Sequence, residues 1–227
     1  MRFQDRAEGG RQLATRLLSY RGMNVGVLGL ARGGMRVAYE VARALEAPLQ
    51  VWVARKVDIP GRPTTLGAVS EGGGLYLDRE ALRLSPVAER AFNNLANDAS
   101  AEVDSEAQLL RGRSFLALGG ATVLLVDDGL VTGATAAAAL QALRKLGVAR
   151  LVLAAPVATP HALDVVRPLA DAVHCVRTID ALHSVSEAYV DHRPVPDVEV
   201  RQLLERSRQP PYPREVLEST DPGGFWM

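Results

Sequence analysis

Two adjacent acids, Asp127 and Asp128, follow the apolar run VLLV and precede GLVTGAT. Carboxylates accept hydrogen bonds from paired hydroxyls, and two of them beside a phosphate would repel it. The loop that follows offers the opposite chemistry. Where a loop enters a helix, unpaired backbone N–H groups and the positive end of the helix dipole favour an anion. Gly129, Val131, Thr132, Gly133, Ala134 and Thr135 supply that loop. Gly133 and Ala134 let the backbone close around a phosphate, and Thr132 and Thr135 add hydroxyl donors. The two halves together expect a sugar diol and the phosphate attached to it. The competing readings are a paired-carboxylate metal site and a bare N-cap by Thr132 or Thr135. The N-cap reading leaves both aspartates unexplained. No lysine follows Gly133, which excludes a GxxxxGK[ST] phosphate loop.

Two further stretches carry cations. ARGG brings the permanent charge and donor fork of Arg32, with Gly33 and Gly34 allowing close backbone approach. Its spacing, GLARGG, is not GxGxxG. Arg55 and Lys56 close the apolar run LQVWVA. Taken singly, these are an ordinary turn and a solvated strand end. Taken with the acids, they expect a ligand with a phosphate, a ribose and a second, larger anionic group. AVSEG (68–72) has the outline of a nucleophile elbow around Ser70, but GLYL after it reads as strand where the elbow needs a helix. The four histidines, His161, His174, His183 and His192, are scattered and read as surface or packing residues.

The elements that must position these residues alternate. Asp5 to Tyr20 reads as an amphipathic helix. Short, uniformly apolar strands are expected at 24–30, 49–54, 121–126, 150–155 and 172–176. Helices are expected with Val37, Val41 and Leu45 on one face, from Ala136 to Leu146, from Pro160 to Leu169 and from Asp197 to Arg206. LGAVSEGGGLYL (66–77) reads as a hairpin. Ser85-Pro86 reads as the N-cap of a long helix to about Arg111, with Val87, Ala91, Leu95, Ala99, Val103 and Leu110 inward. This pattern predicts an α/β fold, a mostly parallel twisted sheet with helices on both faces. Ligands of such sheets bind beyond the carboxyl ends of the strands. ARGG, ARK, DDGLVTGAT and PVATPH all fall there.

Length and charge narrow the classes. The 227 residues suit one α/β core with additions, expected over 1–208, followed by a Pro/Gly-rich tail at 209–227 whose Phe-Trp-Met could dock on a surface. Lys+Arg and Asp+Glu are equal at 26, which argues against a dedicated nucleic-acid partner. The lone Cys175 allows no internal disulfide and fits a reducing, cytoplasmic setting. The charged start MRFQDRAEGG lacks a leader's apolar region, and no run approaches a membrane span. A homo-oligomer is left open.

VLLVDDGLVTGAT resembles the phosphoribosyl-diphosphate (PRPP) signature of type I phosphoribosyltransferases. The order LGLARGG, WVARK, LGA, VDDGLVTGAT also resembles a bacterial branch of that family with a P-R-G-G loop. The resemblance covers residues 3–206 and is strongest at 25–70 and 121–160. It implies transfer of 5-phosphoribosyl from PRPP to a nitrogenous acceptor, with diphosphate released. It implies a 5-phosphate loop at 132–135 and ribose contacts at Asp127 and Asp128. It also implies a diphosphate loop at Arg32 to Gly34, with Arg55 and Lys56 facing the diphosphate. Asp127, Asp128 and Lys56 are then the catalytic candidates. Mg²⁺ is implied as cofactor, held mainly by PRPP. A lid is expected within Asp58 to Gly74. A hood is expected from the N-terminal helix and residues 177–208 around a core of 21–176, with His183, Tyr189 and Asp191 in it. Two departures stand out: Ala31 replaces the proline, and Thr64 or Thr65 stands where an acid commonly precedes LGA. The alternative is a non-catalytic protein of the same fold that senses PRPP or a nucleotide.

Overall fold

The computed structural model describes residues 2–61, 64–86, 89–112 and 116–209. Among these, five parallel strands form one sheet: β1 (Val25–Leu30), β2 (Leu49–Trp52), β6 (Thr122–Val126), β7 (Arg150–Ala158) and β8 (Ala172–Thr178), in the order β2-β1-β6-β7-β8. A second, antiparallel sheet holds β3 (Ala54–Asp58), β4 (Thr65–Ser70) and β5 (Gly74–Leu77).

The parallel strands are apolar throughout because both faces are covered. Successive side chains alternate between faces. Leu124, Val126, Val152 and Ala154 pack toward α1 (Arg6–Leu17), α2 (Gly34–Leu45) and α7 (Asp197–Ser207). Val123, Leu125, Leu151 and Leu153 pack toward α5 (Ala134–Arg144) and α6 (Pro160–Val166). The helix ends follow local chemistry. Asp5 caps α1 by accepting from the Glu8 N–H at 2.8 Å, and Thr159 caps α6 by accepting from the Ala162 N–H at 3.0 Å. The expected fold class therefore stands, with a switch point where the chain leaves β1 toward β2 on one side and β6 continues on the other.

Two expectations need correction. The run 49–54 is not one strand. At Val53 the chain leaves the parallel sheet: its N–H donates to Glu71 Oε1 (2.7 Å) and its carbonyl accepts from the Glu71 N–H (3.0 Å). Arg55 and Lys56 therefore lie inside β3, not at the end of a core strand. The long helix α4 (Glu89–Arg111) is not opened by Ser85. That residue closes the short helix α3 (Arg79–Leu84), donating its N–H to Leu82 O. Val87 lies outside the described residues. Ala91 is exposed, and the inward face of α4 carries Phe92, Ala96, Val103, Ala107 and Leu110, one residue out of phase at its start. Much of Asp58 to Gly74, within which a lid is expected, is strand. Residues 65–74 are mostly buried, with Ala68 and Tyr76 packed on Ala134 and Ala138 of α5. That leaves 59–61 and 64 outside the strands; 62 and 63 lie outside the described residues.

Residues 3–4 and 188–191 form a short ladder. Phe3 N–H donates to Ala188 O, Val190 N–H to Phe3 O and Asp191 N–H to Gln4 O, at 2.8–2.9 Å. Of the expected tail, Gln209 is described and 210–227 lie outside the described residues.

Candidate functional site

A cavity of about 290 Å³ opens at the carboxyl ends of β1 and β6, at the switch point. Residues 127–133 and Thr135 line it from the end of β6 and the entry to α5. Leu30 and Ala31 line it from β1, Ala54 and Lys56 from β3, and His183, Ser184 and Val185 from the segment after β8.

The loop of residues 129–133 is held from β7. Leu130 N–H donates to Val157 O and Thr159 N–H donates to Leu130 O, both at 2.9 Å. Thr159 Oγ1 donates to Val131 O at 2.7 Å. Gly133 then turns the chain into α5 with φ of 75°, a left-handed conformation that favours glycine. Gly133 itself is the N-cap, so neither threonine caps the helix as the bare N-cap reading required. Thr132 Oγ1 instead accepts from the Ala134 N–H at 3.4 Å. The first N–H groups of α5 have no partner within the helix.

The two acids differ in environment. Asp127 is partly buried and its Oδ1 accepts from the Asp128 N–H at 2.8 Å. Burial, and then the neighbouring Asp128 carboxylate, push Asp127 well above the usual carboxylate range, with Lys56 pulling the other way. Asp128 is buried. Burial would raise it too, but His192 and Arg6 more than offset this and hold it below the usual range. Arg6 Nε meets Asp128 Oδ2 at 2.6 Å. Tyr189 Oη donates to the Asp128 carbonyl at 2.6 Å.

The cationic candidates separate. On β3, alternate residues face opposite ways. Ala54 and Lys56 face the cavity, while Val57 packs in the core with Phe92 and Ala96 of α4. Arg55 falls on the α4 side and pairs with Glu102 and with Glu106 (2.8 Å). Arg32 pairs with the same Glu106 (3.0 Å) and with Asp197. Arg32, Gly33, Gly34, Arg55 and Ala134 are absent from the described lining of the cavity. Strand alternation thus sends the two neighbours to opposite sides, Lys56 to the cavity and Arg55 toward α4. The glycine at 33 answers to the protein itself: a Cβ there would strike the Asp128 carboxylate and crowd Arg6 Nε. Ser70 is buried, its Oγ accepting from Trp52 Nε1 (2.8 Å), and a hairpin turn follows it, so the elbow reading fails. His161 and His174 lie apart from the cavity lining. Asp191 pairs with Arg193.

Sequence reading missed Arg6, His192 and Glu106. Arg6 and His192 are 186 positions apart, and no local pattern joins them. The segment 183–185 was expected only as part of a hood.

A family model described as a phosphoribosyl transferase domain matches residues 4–191. Two Mycobacterium tuberculosis proteins, from strains CDC 1551 / Oshkosh and H37Rv, are named "Putative phosphoribosyl transferase". Each is 37% identical over 209 residues, or 91% of this chain. The chain spans 47% of their length, about half of these curated relatives. The crystal structure of TT1426 from Thermus thermophilus is 38% identical with a TM-score of 0.74, over 91% of this chain and 99% of that one. With the sheet order, the strand-end acids and these matches in agreement, the chain belongs to the phosphoribosyl transferase family.

Proposed function

We propose that this chain is a phosphoribosyltransferase that takes PRPP as donor, transfers 5-phosphoribosyl to a nitrogenous acceptor and releases diphosphate. One observation carries the reading. The strand-end acids, the loop into α5 and Lys56 share a single cavity. A 5-phosphate fits the loop 129–135, where backbone N–H groups and the helix dipole meet it. The ribose hydroxyls fit Asp127 and Asp128. Lys56 offers a positive charge to the leaving diphosphate.

The reaction asks little covalent chemistry of the protein. The bond from the anomeric carbon to diphosphate oxygen breaks, and diphosphate keeps the electron pair. A bond to the acceptor nitrogen forms, and the acceptor gives up a proton. The transition state resembles an oxocarbenium ion, as in glycoside hydrolysis. The residues hold the ring, fix the phosphate and keep water out.

Mg²⁺ fits the donor set. It usually takes one or two carboxylates and leaves its other positions to substrate phosphates and water. Asp127 and Asp128 provide such a pair. Among the described residues no group of three or more His, Cys, Asp or Glu forms a protein cage. The metal would therefore ride on PRPP, neutralising charge on the leaving group. No helix among the described residues is long and apolar enough to cross a membrane. Small-molecule partners in a cytoplasmic setting complete the reading.

A sensor that binds PRPP without turnover is the second reading. Its support is that Glu106 engages both Arg32 and Arg55, leaving Lys56 as the cation that lines the cavity among the described residues. The experiment is a thermal shift with PRPP and Mg²⁺, then a panel of bases assayed for diphosphate. A transferase releases diphosphate with a particular base. A sensor shifts its melting temperature and releases none. Replacing both Asp127 and Asp128 with Asn weakens PRPP binding by more than about tenfold. Unchanged affinity in calorimetry would remove the ribose assignment.

A further inference from the structure

The cavity accounts for Asp127, the loop to Thr135 and Lys56, but not for Arg6. Arginine is seldom fully buried unless paired, and Arg6 is 5% exposed. Its guanidinium is engaged on three sides. Nε donates to Asp128 Oδ2 (2.6 Å), Nη1 donates to Arg193 O (2.8 Å), and Nη2 lies 2.7 Å from His192 Nε2. His192 Nε2 is 3.4 Å from the same Asp128 oxygen, so Arg6 is the closer partner. Both contacts fall on one oxygen, Asp128 Oδ2. The Asp128 backbone is fixed separately by Tyr189. A rigid guanidinium fork holding one carboxylate oxygen sets the direction of the other.

We propose that Arg6 is a positioning residue for the cavity: from the first turn of α1 it acts through Asp128, fixing the carboxylate that meets the sugar. This rests on the reading of Asp128 as a ribose contact. A plain packing role for Arg6 would affect every ligand of the cavity alike. Positioning through Asp128 affects the sugar and spares the phosphate, because the loop 129–135 is held from β7 and not by Arg6.

The test is calorimetric titration of ribose 5-phosphate and of inorganic phosphate into the full chain and its Arg6→Gln, Arg6→Lys, Asp128→Asn and Arg6→Gln/Asp128→Asn forms. Arg6→Gln should lower ribose 5-phosphate affinity about tenfold and leave inorganic phosphate within about twofold. Arg6→Lys should recover part of that loss. In the Asp128→Asn background, Arg6→Gln should cost less than about twofold more. Equal losses for both ligands overturn the proposal, as does an undiminished Arg6 effect without the Asp128 charge. Should Arg6→Gln fail to fold, Arg6→Lys alone and with Asp128→Asn makes the same comparison. A wild-type protein that binds both ligands equally overturns the sugar reading itself, and with it this role of Arg6.

Discussion

Asp127 and Asp128 are neighbours of one residue type with opposite electrostatics, and the contrast has a measurable sign. Asp127 is raised, so its neutral form is favoured in the folded chain. Its contribution to stability is present at low pH and is lost as pH rises through the folded value. Asp128 is lowered, so its contribution is present at neutral pH and is lost as pH falls through the folded value. Asp127→Asn should therefore melt above the wild type at pH 7.5, with the gap closing toward about pH 4, near the unfolded carboxylate value. Asp128→Asn should lose about 2 kcal/mol at pH 7.5, because Arg6 then lacks its charged partner. Scanning fluorimetry across pH checks both. At this scale the sequence was informative about where the two acids sit, directly after β6, and silent about how they differ. That difference comes from Arg6 and His192, which only the closed fold brings to Asp128.

Strands and helices decide which candidates can act together. The VDDG end of β6 and the start of α5 were legible because one apolar run feeds directly into one helix. The ARK end was not. Nothing in LQVWVA marks Val53 as the point where the chain changes sheets, since Glu71, which diverts it, is 18 residues away. The resulting alternation on β3 separates Lys56 from Arg55 and predicts a split. Lys56→Ala should weaken PRPP binding about tenfold while sparing ribose 5-phosphate, whereas Arg55→Ala should leave PRPP affinity within about twofold. Competition binding with the two ligands measures this. A second element-scale test lies where α2 begins. Gly33→Ala sets a methyl group against the Asp128 carboxylate. Urea unfolding should show a loss of roughly 1–3 kcal/mol, the usual cost of forcing an atom into a packed site.

For the whole molecule, the fold class was readable because alternating apolar strands and amphipathic helices admit few architectures. The second sheet was half visible, as a hairpin without its third strand. Its packing on α5 means that the helix entered from residues 129–133 is covered by both sheets. Ligand binding at that helix start should therefore raise the stability of the chain as a unit. At about 100 times its dissociation constant, PRPP with Mg²⁺ should add about 2.7 kcal/mol, a rise of roughly 5–10 °C in Tm. Asp127→Asn with Asp128→Asn should abolish most of that rise in the same assay.

The ladder between residues 3–4 and 188–191 also sets an order in time. Contacts between distant positions wait for the chain that joins them. During synthesis at roughly 5–20 residues per second, the five parallel strands have all been made once Thr178 is added. At that point Arg6 still lacks His192 and Arg193. A nascent chain halted between these points carries the whole sheet and every residue from Asp127 to Thr135, yet lacks the segment that closes over Arg6 and Asp128. The cavity is thus completed only after all five parallel strands have been made.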